Sequence, residues 1–341
     1  MTTTAMLDDI RCQPESLGAV ADYQASDGAG QLRAAADAIR AAGRVVFTGM
    51  GSSLYASIPA ASYLESRGFP AVAVDASEML YFGSASRAQN AAVVLVSRSG
   101  ETIEVTKLLD RIARSAIPTV GVANVRDSRL ARGARCPIHV NSGPDRMISV
   151  QTYTGTLATL LLLAAAVLED PPAEAFDSLG KAIEAVSAAI GDSLAAHREW
   201  SGFLAGAGVV YLLARGPSLA SAHQGALLLN EAARTPSVAM SVAQFRHGPV
   251  EVVDERFRGV IFASQDGTRN ADLALSGDLA AMGGAVRVCD GRGVPSPFEP
   301  LPEIVPLQVA ACALALDKGI DPGDFRYAAR VTLEETGFRK V

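Results

Sequence analysis

The chain restates itself at a fixed distance. Residues 209–219, Val-Val-Tyr-Leu-Leu-Ala-Arg-Gly-Pro-Ser-Leu, place Gly216, Ser218 and Leu219 where an earlier segment has Gly51, Ser53 and Leu54. Residues 260–267 match 93–100, and 285–290 match the run that begins at Thr119. The three offsets are 165, 167 and about 166 residues, so one register covers all of them. Self-similarity at a constant long period means one structural unit built twice, and any fold assigned to the first copy must also suit the second.

The content of each copy names the unit. Apolar, β-branched runs predict strands over 43–48, 70–74, 91–96 and 119–123, with a shorter one over 138–140. Alanine- and leucine-rich stretches lie between them, including a helix expected over 103–116. Uniformly apolar strands separated by helices form parallel sheets covered on both faces. The expected fold class is therefore α/β, with two tandem doubly wound parallel-sheet domains. On this reading residues 1–30 are a helical lead-in, 31–190 the first domain, 191–320 the second and 321–341 a C-terminal tail, with the junction around 190–205. With 49% hydrophobic and 19% charged residues, 341 residues can build two full cores, which excludes a disordered scaffold.

Charge and composition remove further classes. Thirty-six acids against thirty bases give a formal charge of −6, which argues against a nucleic-acid surface but leaves room for small anionic ligands. Cys12, Cys136, Cys289 and Cys312 form no CxxC pair, and His139, His197, His223 and His247 show no HxxxH or HExxH spacing. No metal site or disulfide framework is expected. Residues 1–16 lack a basic stretch followed by an apolar one, and the apolar run 157–168 is about half a membrane span. The expectation is a soluble, cytoplasmic protein with no membrane or nucleic-acid partner.

Chemistry concentrates in the turns that follow the strands. Gly49-Met50-Gly51-Ser52-Ser53 and Ser97-Arg98-Ser99-Gly100-Glu101-Thr102 combine small residues, hydroxyl donors and a following helix N-terminus, and a third hydroxyl cluster runs from Ser149 to Thr152. Helix N-termini leave N–H groups unpaired and carry partial positive charge, so they suit an oxyanion or phosphate. The same residues also cap helices and fill tight turns where nothing binds. The glycine turn is not a dinucleotide fingerprint, because Leu54 stands where a third small residue is needed.

The GxGSS turn, the Ser97–Thr102 turn, the helix opened by Ser149 and Thr152, the Gly225–Glu231 stretch and the Arg246-His247-Gly248-Pro249 loop together resemble the sugar isomerase (SIS) domain family. The likeness is to the tandem-SIS isomerase half of glucosamine-6-phosphate synthase and to related phosphosugar isomerases and deaminases, and it covers nearly the whole chain. The resemblance implies that Ser52, Ser53, Ser97, Ser99 and Thr102 hold a sugar phosphate and nearby hydroxyls, while Ser149 and the Met147 backbone line the pocket. It implies that Glu231 moves a proton between C1 and C2 through an enediol, and that His247 helps open the ring, in its own or a neighbouring subunit. A homodimer and no metal or redox cofactor follow from it.

Read as residues, Glu231 ends an apolar helical stretch, where partial burial raises a carboxyl's pKa toward neutrality. An ordinary solvated helix glutamate fits the spacing too, and His247 beside Gly248-Pro249 suits a structural role equally well. Departures from the family pattern matter here. On that resemblance its lysines are replaced by Leu228 and by Ala329, with Arg330 following, and Lys340 lies too far along to be equated with either. An arginine cannot serve as a Schiff-base amine. Arg98 replaces a glutamine and Gln151 a lysine, so Arg98, with Arg146, suggests an anion held by side chains. The leading expectation is an anionic-sugar aldose–ketose isomerase; amino-sugar-phosphate deamination and a non-catalytic sugar-phosphate sensor are the alternatives. An aminotransferase fed ammonia by a separate partner is a further rival, disfavoured by the missing lysines. Residues 1–16, with Cys12 well inside them, do not suggest unaided glutamine hydrolysis.

Overall fold

The computed structural model describes residues 1–83, 87–113, 115–291, 293–327 and 332–334. It divides into two compact units. One comprises Glu15–Pro144, Gln151–Gly180 and Arg326–Val341, the other Met1–Pro14, Asp145–Val150 and Lys181–Phe325.

The first unit is built on five parallel strands: β1 (Val45–Gly49), β2 (Ala71–Asp75), β3 (Ala92–Val96), β4 (Thr119–Ala123) and β5 (Cys136–His139). Their order is β2-β1-β3-β4-β5. Every residue of β1, β3 and β4 is buried, as their uninterrupted apolar sequences require. The strand expected over 138–140 begins two residues earlier, because Cys136 and Pro137 pair with Val120 and Gly121. On one face Val46, Val93 and Leu95 pack against Val105, Leu108, Leu109 and Ile112. On the other face lie α3 (Ala29–Ala42) and α4 (Ser52–Ser66), backed by α6 (Gln151–Val167), which is buried at every residue but Ala166. Helix α5 (Ile103–Ile112) ends four residues short of its sequence expectation.

The second unit contains β6 (Val210–Ala214), β7 (Ser237–Ser241), β8 (Arg258–Phe262) and β9 (Ala285–Cys289), in the order β7-β6-β8-β9. The order is that of the first four strands, and the strand starts differ by 165 or 166 residues throughout. Leu213, Phe245, Ile261, Leu275 and Leu279 form the core on one face. On the other, α9 (Leu219–Glu231) lies so close to the sheet that a Cβ at Gly225 would stand 2.7 Å from a Leu212 methyl carbon. The chain's first helix, α1 (Ala5–Arg11), packs on α11 (Val305–Asp317), where Gln13 and Gln308 exchange side-chain hydrogen bonds at 2.8 and 3.1 Å. The stretch 300–317 is long and apolar enough for a membrane span, yet 83% of it is buried within the protein.

Candidate functional site

Both sheets reverse their strand order beside the first strand of the unit, between β1 and β3 and between β6 and β8. Ligands of open parallel sheets bind beyond the carboxyl ends of the strands at such a reversal. The two hydroxyl-rich turns leave β1 and β3, so they flank the reversal of the five-stranded sheet.

The geometry of these turns follows from their residues. A Cβ at Gly49 would meet the Val96 carbonyl at 2.9 Å, so a glycine there lets β1 run close to the end of β3. Gly51 has φ +49°, a region L side chains avoid, and it turns the chain into α4 at Ser52 and Ser53. In the second turn Ser97 is 1% exposed. Its Oγ lies 2.8 Å from Thr102 Oγ1 and accepts the Gly100 N–H at 3.1 Å. Ser99 Oγ accepts the Glu101 N–H, and Glu101 accepts the Arg129 N–H. Gly100, at φ +68°, has no room for a side chain beside Ser128. Thr102 stands at the N-cap position of α5 without a side-chain capping bond, and the helix's first N–H, from Ile103, is donated to the carbonyl of Thr332. Arg98 is half-buried and its carbonyl accepts the Asn124 N–H. This second turn is thus held by its own hydrogen bonds, and the two turns each set one helix N-terminus at the sheet reversal.

The remaining expected residues belong to the second unit. Ser149 is half-buried, two residues before α6, and its carbonyl accepts from Gln224 at 3.2 Å. Arg146 is engaged with the lead-in: its N–H donates to Asp9 at 3.0 Å and its guanidinium to Asp8 at 3.4 Å. Glu231 is the last residue of α9 and is half-buried. With Leu219, His223 and Leu227 it forms the half-exposed stripe of a helix otherwise largely buried. His223 had no signal in the spacing of the histidines. Its place on that stripe, eight residues before Glu231, was legible only once the helix was fixed, and burial holds its imidazole below the usual pKa, hence neutral. His247 is exposed, follows the short helix Val242–Arg246, and precedes Gly248 at φ +134°. Leu228 is fully buried. Ala329, Arg330 and Lys340 lie outside the described residues.

One residue escaped the sequence reading altogether. Glu303 is 1% exposed and sits at the reversal of the four-stranded sheet. Its carboxylate accepts from Ser218 at 2.8 Å and Ser221 at 2.9 Å, and Ser264 bonds to it as well. Burial pushes its pKa up to about 7, against the pull of those hydroxyls, which favour the charged form.

The family whose description matches residues 38–168 is the SIS domain. Residues 38–168 are a SIS domain. The match spans β1 to β5, with both hydroxyl turns inside it. Beyond the SIS domain, the chain is 28% identical over 349 aligned residues to a glutamine–fructose-6-phosphate aminotransferase (isomerizing) of Pyrobaculum aerophilum, covering 96% of this chain and 57% of that protein. The chain spans about half the length of the curated relatives it matches. Its fold is that of the C-terminal domain of glucosamine-fructose-6-phosphate aminotransferase from Francisella tularensis, at a TM-score of 0.81 and 20% identity over 94% of this chain and 98% of the other. Tagatose-6-phosphate ketose/aldose isomerase from Escherichia coli shares it, at a TM-score of 0.76 and 18% identity over 94% of each chain. The tandem doubly wound architecture read from the sequence is that shared fold. The SIS domain of this chain departs from the pattern its resemblance implied at Arg98, and the neighbouring unit at Leu228, where a core leucine leaves no amine.

Proposed function

We propose that the chain binds a phosphorylated or otherwise anionic sugar and interconverts its aldose and ketose forms by proton transfer through an enediol. The observation that carries this reading is the pair of hydroxyl turns at the sheet reversal of the SIS domain, each leading into a helix N-terminus. Ser52, Ser53, Ser97, Ser99 and Thr102 supply neutral donors to the phosphate, and Arg98 adds a charged one. Ser149 and the Met147 backbone contact the sugar. Glu231 takes the proton from C2 and returns it to C1, the task of a single carboxylate. His247 assists ring opening, and its use by a neighbouring subunit makes the active form a homodimer. The names of the relatives, which act on fructose-6-phosphate or tagatose-6-phosphate, support the substrate class.

Incubation with a panel of hexose 6-phosphates in D₂O, followed by proton NMR, tests the proposal. Loss of the C2–H signal in the wild type, abolished in Glu231→Gln, is expected. Binding without exchange for every sugar would identify a sensor instead, and ammonia released from an amino-sugar phosphate would identify a deaminase.

A further inference from the structure

The four-stranded unit repeats the architecture of the proposed phosphate site yet fills it from within. Gly216 has φ +54°, like Gly51 at +49° in the other sheet, 165 residues earlier. Ser218 stands 165 residues after Ser53 and Ser264 stands 167 after Ser97, each leaving the corresponding strand. These are the hydroxyls that converge on Glu303. Ser218, Ser221 and Ser264 are at most 4% exposed, and Ser264 Oγ also accepts the Gly291 N–H at 2.6 Å. Gln265 donates to Ser218 at 3.4 Å. A Cβ at Gly291 would lie 3.0 Å from Glu303 Cγ, so the carboxyl is packed as well as bonded.

The origin of the carboxylate is also readable. Glu303 occupies the second position before α11, as Ser149 occupies the second position before α6. A hydroxyl at that point of one copy is an acid in the other. Glu303 further lines a cavity of about 300 Å³ whose walls include Asp192 and Asp290, the latter paired with Arg269 at 2.8 Å.

We infer that Glu303 is a built-in occupant, its carboxyl group filling in the four-stranded unit the oxyanion site that its repeated turns would otherwise offer to a phosphate. The carboxyl group satisfies the same hydroxyls a bound oxyanion would. Of the two sets of repeated turns, only those of the five-stranded sheet are thereby left open to a phosphate. The inference uses the proposed function only for the wild-type site; the latent site stands on the Glu303 contacts.

The test counts inorganic phosphate bound per chain by equilibrium dialysis, in the wild type, Glu303→Ala and Glu303→Ala/Ser218→Ala. Glu303→Ala should bind one phosphate more than the wild type, and the second substitution should remove the gain. A folded Glu303→Ala chain with the wild-type stoichiometry overturns the inference. Should Glu303→Ala unfold in phosphate-free buffer, phosphate is expected to restore its circular dichroism, and a chain that stays unfolded as phosphate is raised also overturns it. A wild type that binds none beside a variant that binds one would refute the proposed function while leaving this inference standing.

Discussion

Two sheets of the same strand order present the same turn geometry with opposite contents. At the reversal of the five-stranded sheet, Ser97 spends its hydroxyl on Thr102 and Gly100, within its own turn. At the reversal of the four-stranded sheet, the corresponding Ser264 bonds to the carboxylate of Glu303. The backbone scaffold was duplicated and its chemistry was not. A site's fold therefore predicts where an anion sits, and only the local side chains say whether that anion is the protein's own.

The largest contrast concerns the two glutamates. Glu231 ends α9 half-buried, whereas Glu303 is enclosed and bonded to three hydroxyls. If Glu231 is the proton carrier, Glu231→Gln should lower C2–H exchange by about 10²–10⁴-fold. Glu303→Gln, which keeps shape and most hydrogen bonds, should leave exchange unchanged. Equal loss in both variants would mean that the two carboxylates do not have separate duties.

Next in size is a pH effect on stability. The Glu303 carboxyl rises from its ordinary 4.5 to about 7 on folding, chiefly by desolvation. Between those values the folded chain holds a proton that the unfolded chain has released. Stability is then highest at the acid end and falls as pH rises through the window, by on the order of 3 kcal/mol. Glu299, raised by burial and adding a like charge near Glu303, acts in the same direction, and the Cys289 thiol facing Glu303 is pushed up beyond the window. His139 and His223, lowered by burial, act in the opposite one. Urea unfolding of wild type and Glu303→Gln across this range isolates the Glu303 part as the difference between the two slopes. Parallel curves would show that the carboxyl titrates normally.

Much of this was legible from the sequence because strands and turns recur at one spacing. The apolar runs located β1 to β4 within two residues, and glycines with hydroxyls marked the turns after β1 and β3. Glu303 was invisible for a physical reason. It lies beyond β9, where the second copy shows no counterpart of β5 among the described residues, so the 166-residue register no longer applies. The acid that the sequence shows in the turn after β8 is Asp266, which is exposed. The charge that matters there is the buried Glu303, and burial of one glutamate among many is a tertiary property. His223 was missed similarly: its face is defined by which side of α9 the sheet covers.

A smaller effect separates the two serine turns. Ser97→Ala removes the acceptor of the Gly100 N–H and the partner of Thr102, which should cost about 1–3 kcal/mol of stability. It should also weaken sugar-phosphate binding. Ser264→Ala leaves the Gly291 N–H without its acceptor and Glu303 with one donor fewer, at a similar cost, but it should leave sugar binding intact. Thermal melting with and without ligand distinguishes the two: a ligand-induced rise in Tm should shrink only for Ser97→Ala.

The finest test uses the glycines that open both turns. Gly51 and Gly216 share a positive φ, and an alanine at either must hold a sparsely populated conformation that costs about 1–3 kcal/mol. Gly51→Ala and Gly216→Ala should therefore both lower Tm. Their consequences for ligand should differ. Gly51 directs the chain into Ser52 and Ser53, so any relaxation there moves proposed phosphate donors. Gly216 directs it into Ser218, which faces only Glu303 and Gln265 in the hydrogen bonds seen. Titration of both variants with a hexose 6-phosphate should therefore show weaker binding for Gly51→Ala alone. Matching losses of affinity would place ligand at both sheets and dissolve the contrast between them.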